Sequence, residues 1–381
     1  MPTRIALVLL VAAALMPTSD ATASPTVSCS WHVVPSPDFA PTWQTYLLDV
    51  SSLASNDTWA VGRLWTSQGA GQALAEHWDG TKWVNQSPPS RSGVTTLLVG
   101  VDAVSTNVVY AAGNIATRLT AGALVLQWTG SRWTDIGGTA LAQAGNVAIT
   151  GIAASAPANI WVTGYLLLPG FPGDRYRGVI FHYLATTGWV EYDVPSLRSE
   201  SYILTGIDAY GSDVWAVGQV SGDPLIIHWN GRSWDVSRRL TALTGELDDV
   251  SVASDNEARA VGYVSASSTS TKTFVMHWDG TAWSHEPSPN PGGASFNVLG
   301  SVRDFSASNA WAVGSYGPGG QQSTLAEHWN GQQWSAVATE NPSSDAALYG
   351  VGGTSSADMW AVGTYADDAT FTFHGLTEHR C

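Results

Sequence analysis

Basic side chains are scarce in this sequence. Lysine and arginine together number 16, against 31 aspartates and glutamates, which gives a formal net charge of −15 at pH 7. Proteins that bind nucleic acids carry a basic patch or stripe, and attraction to anionic lipids needs clustered lysine and arginine. The composition therefore argues against both classes, and we expect neither a nucleic acid nor a membrane as a partner.

Long apolar runs are also missing after the N-terminal segment. In that segment Arg4 is followed by an apolar run over residues 5–16 and then by Ala21-Thr22-Ala23. This order is typical of a secretory signal peptide, and the run is too short to be a permanent membrane anchor. We therefore expect residues 1–23 to be removed, residues 24–381 to form a single domain, and the mature protein to be secreted and extracellular.

What the sequence does contain is an internal repeat. A box of the type Trp-Ala-Val-Gly returns about every 50 residues, which is typical of an array of one supersecondary unit. The clearest copy is Trp59-Ala60-Val61-Gly62. The position of its tryptophan is occupied in turn by Trp59, Tyr110, Trp161, Trp215, Arg259, Trp311 and Trp360.

Each repeat contains signals for four short strands. A box that ends in Val or Ile, such as Leu98–Val101, comes first, and the Trp-Ala-Val-Gly strand follows a polar turn. A third strand ends in His-Trp, and a turn such as Asp79-Gly80, which favours antiparallel hairpins, leads into the fourth. Four antiparallel strands form one propeller blade. The predicted fold class is therefore all-β, a seven-bladed β-propeller, and the crowded innermost strands suit the small residues Gly100, Gly151, Gly206, Ser301 and Gly350.

The two ends of the sequence are predicted to share one blade. The seventh copy stops at Cys381 without a fourth strand, while the segment around Trp31 resembles the fourth strand around Trp283. We therefore expect the N-terminal strand to complete the last blade and close the ring. The only two cysteines, Cys29 and Cys381, then both lie where other blades have the Asp-Gly turn. A disulfide between them would replace that link and contribute up to about 5 kcal/mol.

A histidine recurs at one position of the third strand. The copies are His77, His182, His228, His277, His328 and His379, with Gln127 in the remaining repeat. Equivalent positions of different blades lie around a ring, so these side chains cannot converge on a metal ion, and we expect each to bond within or between blades. All tryptophans except Trp43 and Trp65 fall on repeat positions and are predicted to pack the blades.

The boxes at Trp59–Gly62 and His77–Trp83 resemble those of secreted bacterial seven-bladed β-propellers, loosely akin to the kelch and galactose-oxidase-like group and to Asp-box proteins. The resemblance covers Cys29 to Cys381 and implies the propeller fold. It implies no single function, since propellers host lectins, lyases, hydrolases, oxidases and interaction platforms. Copper-radical chemistry like that of galactose oxidase requires a cysteine crosslinked to tyrosine. With both cysteines assigned to ring closure, we expect neither that activity nor a cofactor.

Residues outside the repeat boxes are the candidates for function. The turns within the hairpins are short on one face, so the opposite face collects the variable loops on which a rigid scaffold carries its site. The longest such loop is predicted over residues 165–177. Aromatic rings beside arginine suit sugars, because C–H faces stack on rings while hydroxyls accept charge-assisted hydrogen bonds. The predicted ligand-binding residues are Arg63, Trp65, Tyr165, Asp174, Arg175, Tyr176, Arg177 and Tyr316, with Trp43, Tyr46, Tyr263 and Tyr365 on the same face. The alternative is that these are ordinary loop residues that cover the channel mouth.

Two functions remain open. The first is a secreted, non-catalytic and monomeric binding module that recognises carbohydrate or an extracellular protein. The second is an extracellular polysaccharide lyase or glycoside hydrolase with its site over the central channel, which would need a carboxylate pair or a Tyr/His/Arg set. The candidate carboxylates are Asp49, Asp102, Asp208 and Asp249. The sequence contains no nucleophile elbow, metal triad or phosphate loop, which favours the binding module.

Two acidic pairs, Asp248-Asp249 and Asp367-Asp368, also stand out. Neither has the alternating acidic positions and glycine of a calcium loop. Both pairs are therefore predicted to lie in solvated turns.

Overall fold

Seven antiparallel sheets of four strands each make up the part of the chain that the structure describes. The computed structural model describes residues 29–37, 39, 43–66, 71–89, 93–116, 121–138, 141, 144–169, 175–293, 295–318 and 321–381. The innermost strands of successive sheets contact one another in chain order, and the last contacts the first, which closes a ring. The predicted seven-bladed propeller is confirmed, whereas the signal peptide expected over residues 1–23 lies outside the described residues.

The strands of each blade follow chain order from the innermost outwards, with one exception in blade 7. Blade 1 contains β2 (Trp43–Ala54), β3 (Asp57–Thr66), β4 (Gln72–Trp78) and β5 (Trp83–Asn85), and blade 2 contains β6 (Thr95–Ser105), β7 (Val108–Ala116), β8 (Ala121–Trp128) and β9 (Trp133–Asp135). Blade 3 contains β10 (Val147–Ala156), β11 (Asn159–Leu168), β12 (Arg175–Leu184) and β13 (Gly188–Tyr192), and blade 4 contains β14 (Tyr202–Tyr210), β15 (Asp213–Val220), β16 (Asp223–Trp229) and β17 (Trp234–Arg239).

Blade 5 contains β18 (Gly245–Ser254), β19 (Glu257–Ser267), β20 (Ser270–Trp278) and β21 (Trp283–Glu286), and blade 6 contains β22 (Phe296–Ser306), β23 (Asn309–Gly317), β24 (Ser323–Trp329) and β25 (Trp334–Val337). Blade 7 contains β26 (Ala346–Ser355), β27 (Asp358–Ala366), β28 (Phe373–Arg380) and, as its outermost strand, β1 (Trp31–Val33). A 3₁₀ turn over Pro195–Leu197 connects blades 3 and 4. Within the described ranges, no helix has the length and hydropathy of a membrane span.

The glycine of the Trp-Ala-Val-Gly box lies opposite an irregularity in the innermost strand. In blade 1 the register between β2 and β3 shifts between Leu47 and Asp49. A Cβ atom on Gly62 would lie 1.9 Å from the carbonyl oxygen of Tyr46. The same clash, at 1.9 to 2.1 Å, would occur at Gly113, Gly164, Gly218, Gly262, Gly314 and Gly363. Only glycine fits here, because the bulged neighbouring backbone occupies the space of a side chain.

Neighbouring blades pack through their tryptophans. Trp59 makes an edge-on contact with Trp133 on the outer strand of blade 2, with ring centroids 5.5 Å apart, and a tilted contact with Trp128 at 5.0 Å. The edge-on pair recurs as Trp161–Trp234, Trp215–Trp283, Trp311–Trp31 and Trp360–Trp83. Edge-on pairing of buried aromatic rings contributes more free energy than the burial of their apolar area alone. The prediction that the repeated tryptophans pack the blades is confirmed.

The repeated histidine lies flat on the tryptophan of its own blade. The ring of His77 stacks on Trp59 at 4.5 Å, and its Nε2 lies 2.9 Å from Oδ1 of Asp57 at the start of β3. In the other blades with this histidine the partner is Asn159, Asp213, Glu257, Asn309 or Asp358. Each histidine therefore bonds within its own blade, as predicted.

Blade 5 departs from this packing because Arg259 takes the place of the tryptophan. Its side chain is fully buried, and its guanidinium lies 5.3 Å from the ring centroid of Trp329, so it still packs against blade 6. The carboxylates of Glu257, Glu286 and Asp304 lie 2.7 to 3.2 Å from its nitrogens. A buried charge is tolerated only with such partners, so the acidic residues accompany the exchange of tryptophan for arginine.

The N-terminal strand closes the ring. β1 pairs with β28 in antiparallel register, with Trp31 opposite Arg380, and becomes the outermost strand of blade 7. Cys29 and Cys381 are 352 residues apart in sequence and form a disulfide with their Cα atoms 5.3 Å apart. Both predictions about closure are confirmed.

Removal of this disulfide should lower stability without changing the fold. We expect the double variant Cys29→Ser/Cys381→Ser to unfold at a lower temperature, with a loss of up to about 5 kcal/mol, because the closed loop no longer restricts the unfolded chain. The far-UV circular dichroism spectrum should be unchanged, since Trp31 still packs on Trp311. Ser30→Ala, next to the disulfide, is the control. Two free thiols in the mass spectrum of the non-reduced protein would contradict the closure.

Candidate functional site

A narrow polar channel runs between the innermost strands. Two adjoining cavities of about 180 and 110 Å³ occupy it, and Asp49, Ile152, Ile207, Asp249 and Ser301 line both. The four carboxylates named as candidates from the sequence, Asp49, Asp102, Asp208 and Asp249, all lie in the wall of the larger cavity. The ring brings these carboxylates into one cavity, so their hydrogen-bond partners determine whether they are free to act on a ligand.

Polar side chains at the third position of the innermost box tie one blade to the next. Oδ2 of Asp49 accepts the backbone N–H of Val101 in blade 2 at 2.8 Å, while Oδ1 accepts the N–H of Val50 at 2.8 Å. The equivalent bonds between later blades join Asp249 to Val302 and Ser301 to Val351. Each of these oxygens replaces a hydrogen bond that separate sheets cannot make through their backbones alone.

A second tier of such ties lies two residues further along the innermost strands. Oδ2 of Asp102 accepts the N–H of Ala154 in blade 3 at 2.7 Å. Oδ2 of Asp208 likewise accepts the N–H of Val252 in blade 5 at 2.7 Å. The hydroxyl oxygens of Ser51 and Ser251 accept the N–H groups of Ala103 and Asp304. The candidate carboxylates therefore have a structural role at the axis of the ring.

Small residues leave the space for these side chains. A Cβ atom on Gly350 would lie 2.8 Å from the Cα of Asp49, and one on Gly206 would lie 2.8 Å from the Cα of Asp249. Gly100 faces Ile152 in the same way, at 2.9 Å from its Cγ2. The prediction that small residues suit the crowded innermost strands is confirmed.

Burial raises the pKa of the channel carboxylates. The pKa rises to about 8 for Asp49, about 7 for Asp102 and about 6 for Asp249, chiefly because burial disfavours the charged form. The backbone N–H donors lower each pKa in part, and Arg303 lowers those of Asp102 and Asp208. The channel therefore holds groups that exchange protons near neutral pH. In the part of the chain that the structure describes, no three His, Cys, Asp or Glu side chains are arranged to hold a metal ion.

The prediction of a solvated turn at Asp248-Asp249 is wrong. Both residues lie on the innermost strand β18 and line the smaller cavity. Oδ2 of Asp248 is buried without a hydrogen-bond partner among the described residues, and burial and the carboxylate of Glu246 raise its pKa well above the usual value. The strand register overrides the turn propensity of an acidic pair. Asp367, by contrast, accepts turn N–H groups from Ala369 and Thr370, as predicted.

An aromatic cluster with one cation lies at the end of the channel where β2 begins and β3 ends. The guanidinium of Arg63 lies 4.6 Å from the ring centroid of Tyr46 and 5.9 Å from that of Trp65. The ring of Tyr46 stacks on Phe373 at 5.4 Å. Tyr349 lines the smaller cavity. Burial raises the pKa of Tyr349, the nearby Tyr46 also raises it, and the charge of Arg63 lowers it. We define the mouth cluster as Tyr46, Arg63, Trp65 and Tyr349.

Arg63 is the cation of this cluster. Within the described ranges it forms no ion pair, and its Nε is buried without a hydrogen-bond partner. Its guanidinium instead lies close to aromatic rings, whose electron-rich faces attract a cation. Within the described ranges, aromatic rings rather than carboxylates therefore surround this guanidinium.

The sequence analysis does not predict Tyr349 as a site residue, because it lies inside a repeat box. The other blades have Leu48, Val99, Thr150, Thr205, Asp248 and Gly300 at this position. An aromatic ring that breaks the pattern of an innermost strand was the signal that could have identified it.

The predicted residues of blade 3 form a separate group. Most of the segment over residues 165–177 is strand rather than loop, because the pairing of β11 with β12 continues to Leu168 opposite Arg175. Tyr165 and Tyr176 contact each other edge-on at 5.4 Å. Arg175 donates to the carbonyl oxygen of Ser199 at 3.1 Å. Asp174 lies outside the described residues.

The remaining predicted residues do not join the mouth cluster. Arg177 pairs with Glu191 on the outermost strand of its own blade at 2.7 Å, so its guanidinium is directed away from the channel. Tyr316 is half-buried between blades 5 and 6, where it lines a pocket of about 250 Å³ with Leu325 and Ala336. Of the predicted ligand-binding residues that the structure describes, Arg63 and Trp65 therefore belong to the mouth cluster.

The fold and channel define the class of the protein as a seven-bladed β-propeller, and comparison with solved structures supports this. An ulvan lyase of polysaccharide lyase family PL25, bound to a -[GlcA(1-4)Rha3S]- fragment, is 8% identical, with 89% of this chain and 94% of that chain covered and a TM-score of 0.55. YCF48 bound to D1 peptide is 13% identical, with 91% and 99% covered and a TM-score of 0.50.

A protein of unknown function from Dyadobacter fermentans is 9% identical, with 92% of this chain and 98% of that chain covered and a TM-score of 0.52. At these identities the likeness shows the fold alone. No protein-family model matches the chain, and no curated protein is significantly similar to it.

The channel carboxylates should make stability depend on pH. The folded protein binds more protons than the unfolded chain between the usual pKa of Asp49, 3.8, and its raised value of about 8. The contribution of this group is therefore complete below the lower value and is lost as the pH rises through the upper one. We expect the melting temperature to fall as the pH rises from about 4 to about 8, to level off above that range, and to fall less steeply in Asp49→Asn.

Ser51→Ala is the matched control, because it removes a tie to Ala103 in the same channel without removing a titratable group. Both variants should lose about 1 kcal/mol of stability through the lost acceptor. Only Asp49→Asn should change the slope against pH. Equal slopes in the two variants would contradict the role of Asp49.

Proposed function

We propose that the protein is a secreted, non-catalytic binding module that recognises an acidic carbohydrate at the mouth cluster. The observation that carries the proposal is the environment of Arg63, which lies over Tyr46 and beside Trp65 without an ion pair in the described ranges. Aromatic rings bind the C–H faces of sugars. A guanidinium binds carboxylate or sulfate groups through charge-assisted hydrogen bonds.

The channel carboxylates favour binding over glycoside hydrolysis. Both mechanisms of hydrolysis need two carboxyl groups free to face the substrate. Asp49, Asp208 and Asp249 instead use both oxygens to accept backbone N–H groups of two strands. Their use in catalysis would break ties between blades, which supports a ligand that binds above the channel rather than within it.

Two of the structurally similar propellers bind ligands of different chemistry. The ulvan lyase was solved with a -[GlcA(1-4)Rha3S]- fragment, and YCF48 with a D1 peptide. A lone arginine among aromatic rings suits the acidic sugar better, since sugar faces stack on rings and acidic groups pair with the cation.

The disulfide supports the extracellular location. Disulfides such as Cys29–Cys381 persist in oxidising compartments and are rare in the cytosol. In this proposal residues 1–23 are removed as a signal peptide, and residues 24–381 act as one monomeric domain outside the cell without a cofactor.

Arg63→Gln should weaken binding of uronic-acid or sulfated oligosaccharides by about tenfold or more, because a charge-assisted bond is lost. Titration calorimetry of the wild type and the variant with the tightest binder of an oligosaccharide panel measures this. Arg175→Gln is the matched control, since it removes an exposed arginine in blade 3. Its affinity should equal that of the wild type.

Two outcomes would contradict this assignment. Loss of binding in Arg175→Gln but not in Arg63→Gln would move the site to blade 3. Release of unsaturated uronate products from the polymers, followed by their ultraviolet absorbance, would make the protein a lyase.

A further inference from the structure

A second pocket, apolar and larger than either channel cavity, lies between blades 4 and 5. It has a volume of about 480 Å³. Leu240 and Leu243, in the connection from blade 4 to blade 5, form one wall, and Val264, Phe274 and Met276 of blade 5 form the other. This volume lies within the range of small-molecule sites, about 300 to 1,000 Å³.

The pocket lies at a repeat position where blade 6 has a tyrosine. Val264 lies opposite Lys272 in the pairing of β19 with β20, and Tyr316 lies opposite Ser323 at the same place in blade 6. The phenol ring of Tyr316 lines the equivalent pocket there, whose volume is only about 250 Å³. The smaller valine in blade 5 therefore leaves room that tyrosine takes up in blade 6.

The wall of the pocket is apolar at Met276. Blades 2, 3 and 4 also have apolar residues at this position, Leu126, Phe181 and Ile227, whereas blades 1, 6 and 7 have the buried glutamates Glu76, Glu327 and Glu378. An apolar group can therefore enter the pocket without leaving a buried carboxylate unpaired at this position.

Two cations stand at the rim of this apolar pocket. Arg238 and Lys272 line it, both are exposed, and within the described ranges neither forms an ion pair. Lys272 is one of only two lysines in a chain whose net charge is −15. His285 stacks on Phe274 at 5.0 Å, and burial lowers its pKa, which favours the uncharged ring. The pocket thus combines apolar walls with positive charge at its edge.

We propose that this pocket binds a small amphipathic anion, whose apolar body lies against Phe274 and Met276 and whose acidic group meets Lys272 and Arg238. The site is distinct from the mouth cluster, since its residues belong to β19, β20 and β21 of blade 5, to the outermost strand of blade 4 and to the connection between these blades. A neutral ligand of the same shape gains only the apolar contacts, so the rim cations select for a negative charge.

Fluorescence of anilinonaphthalene sulfonate, an apolar anion, reports occupancy of the pocket in the full-length mature protein. Decanoate and decanol, which share a ten-carbon chain and differ in charge, then compete with the bound probe. We expect the probe to bind with a fluorescence gain and decanoate to displace it at lower concentration than decanol. High salt should reduce the advantage of decanoate, because exposed charges are screened.

Three variants locate the effect. Val264→Tyr introduces the residue that blade 6 carries and should remove most of the fluorescence gain. Lys272→Gln should weaken decanoate by about two- to fivefold and leave decanol unchanged, since an exposed ion pair contributes little more than this. Lys82→Gln, which changes the other lysine on an exposed turn of blade 1, should behave as the wild type.

The melting temperatures of all variants show whether each is folded, and the exposed Lys272 keeps the test valid if Val264→Tyr is destabilised. Any of four results would overturn the proposal: no probe binding, equal displacement by decanoate and decanol, full binding in folded Val264→Tyr, or the same loss in Lys82→Gln as in Lys272→Gln. Because Arg63→Gln leaves the pocket intact, probe binding by that variant separates failure here from failure at the mouth cluster.

Discussion

The contact between neighbouring blades is the constraint on which the rest of the structure depends. Each blade is one sheet that has apolar groups on both faces and cannot cover them alone. Tryptophans such as Trp59 and Trp133 cover them by packing edge-on across the gap between sheets. The last blade must meet the first with the same geometry, which is why its outer strand comes from the N terminus and carries Trp31.

The same constraint accounts for the polar channel. Innermost strands of separate sheets are close at the axis but do not form a backbone ladder with each other, so side-chain oxygens such as those of Asp49 and Asp102 accept the N–H groups that face them. Burial keeps these carboxylates partly protonated near neutral pH. A cluster of acidic residues in a cleft often indicates catalysis, but here the hydrogen-bond partners assign the cluster to the scaffold.

Departures from the repeat then mark where the chain differs from its scaffold. Arg259 in place of tryptophan requires three carboxylates and serves packing. Blade 5 has a pocket beside Val264 where blade 6 has Tyr316, and Tyr349 in place of an aliphatic or polar residue places a ring at the channel mouth. The first departure has all its charges paired. The other two leave surfaces that ligands can reach, and these are the surfaces proposed for binding.

The sequence by itself determined the number of blades, the strand order, the ring closure and the Cys29–Cys381 bond, because each follows from local signals repeated along the chain. It also placed Arg63 and Trp65 on the loop-rich face. Only the tertiary structure decided which side chains meet. Arg63 joins Tyr46 and Tyr349 of another blade, while Arg177 turns to Glu191. These distances depend on how seven sheets pack around one axis, and no pattern within a single repeat contains that information.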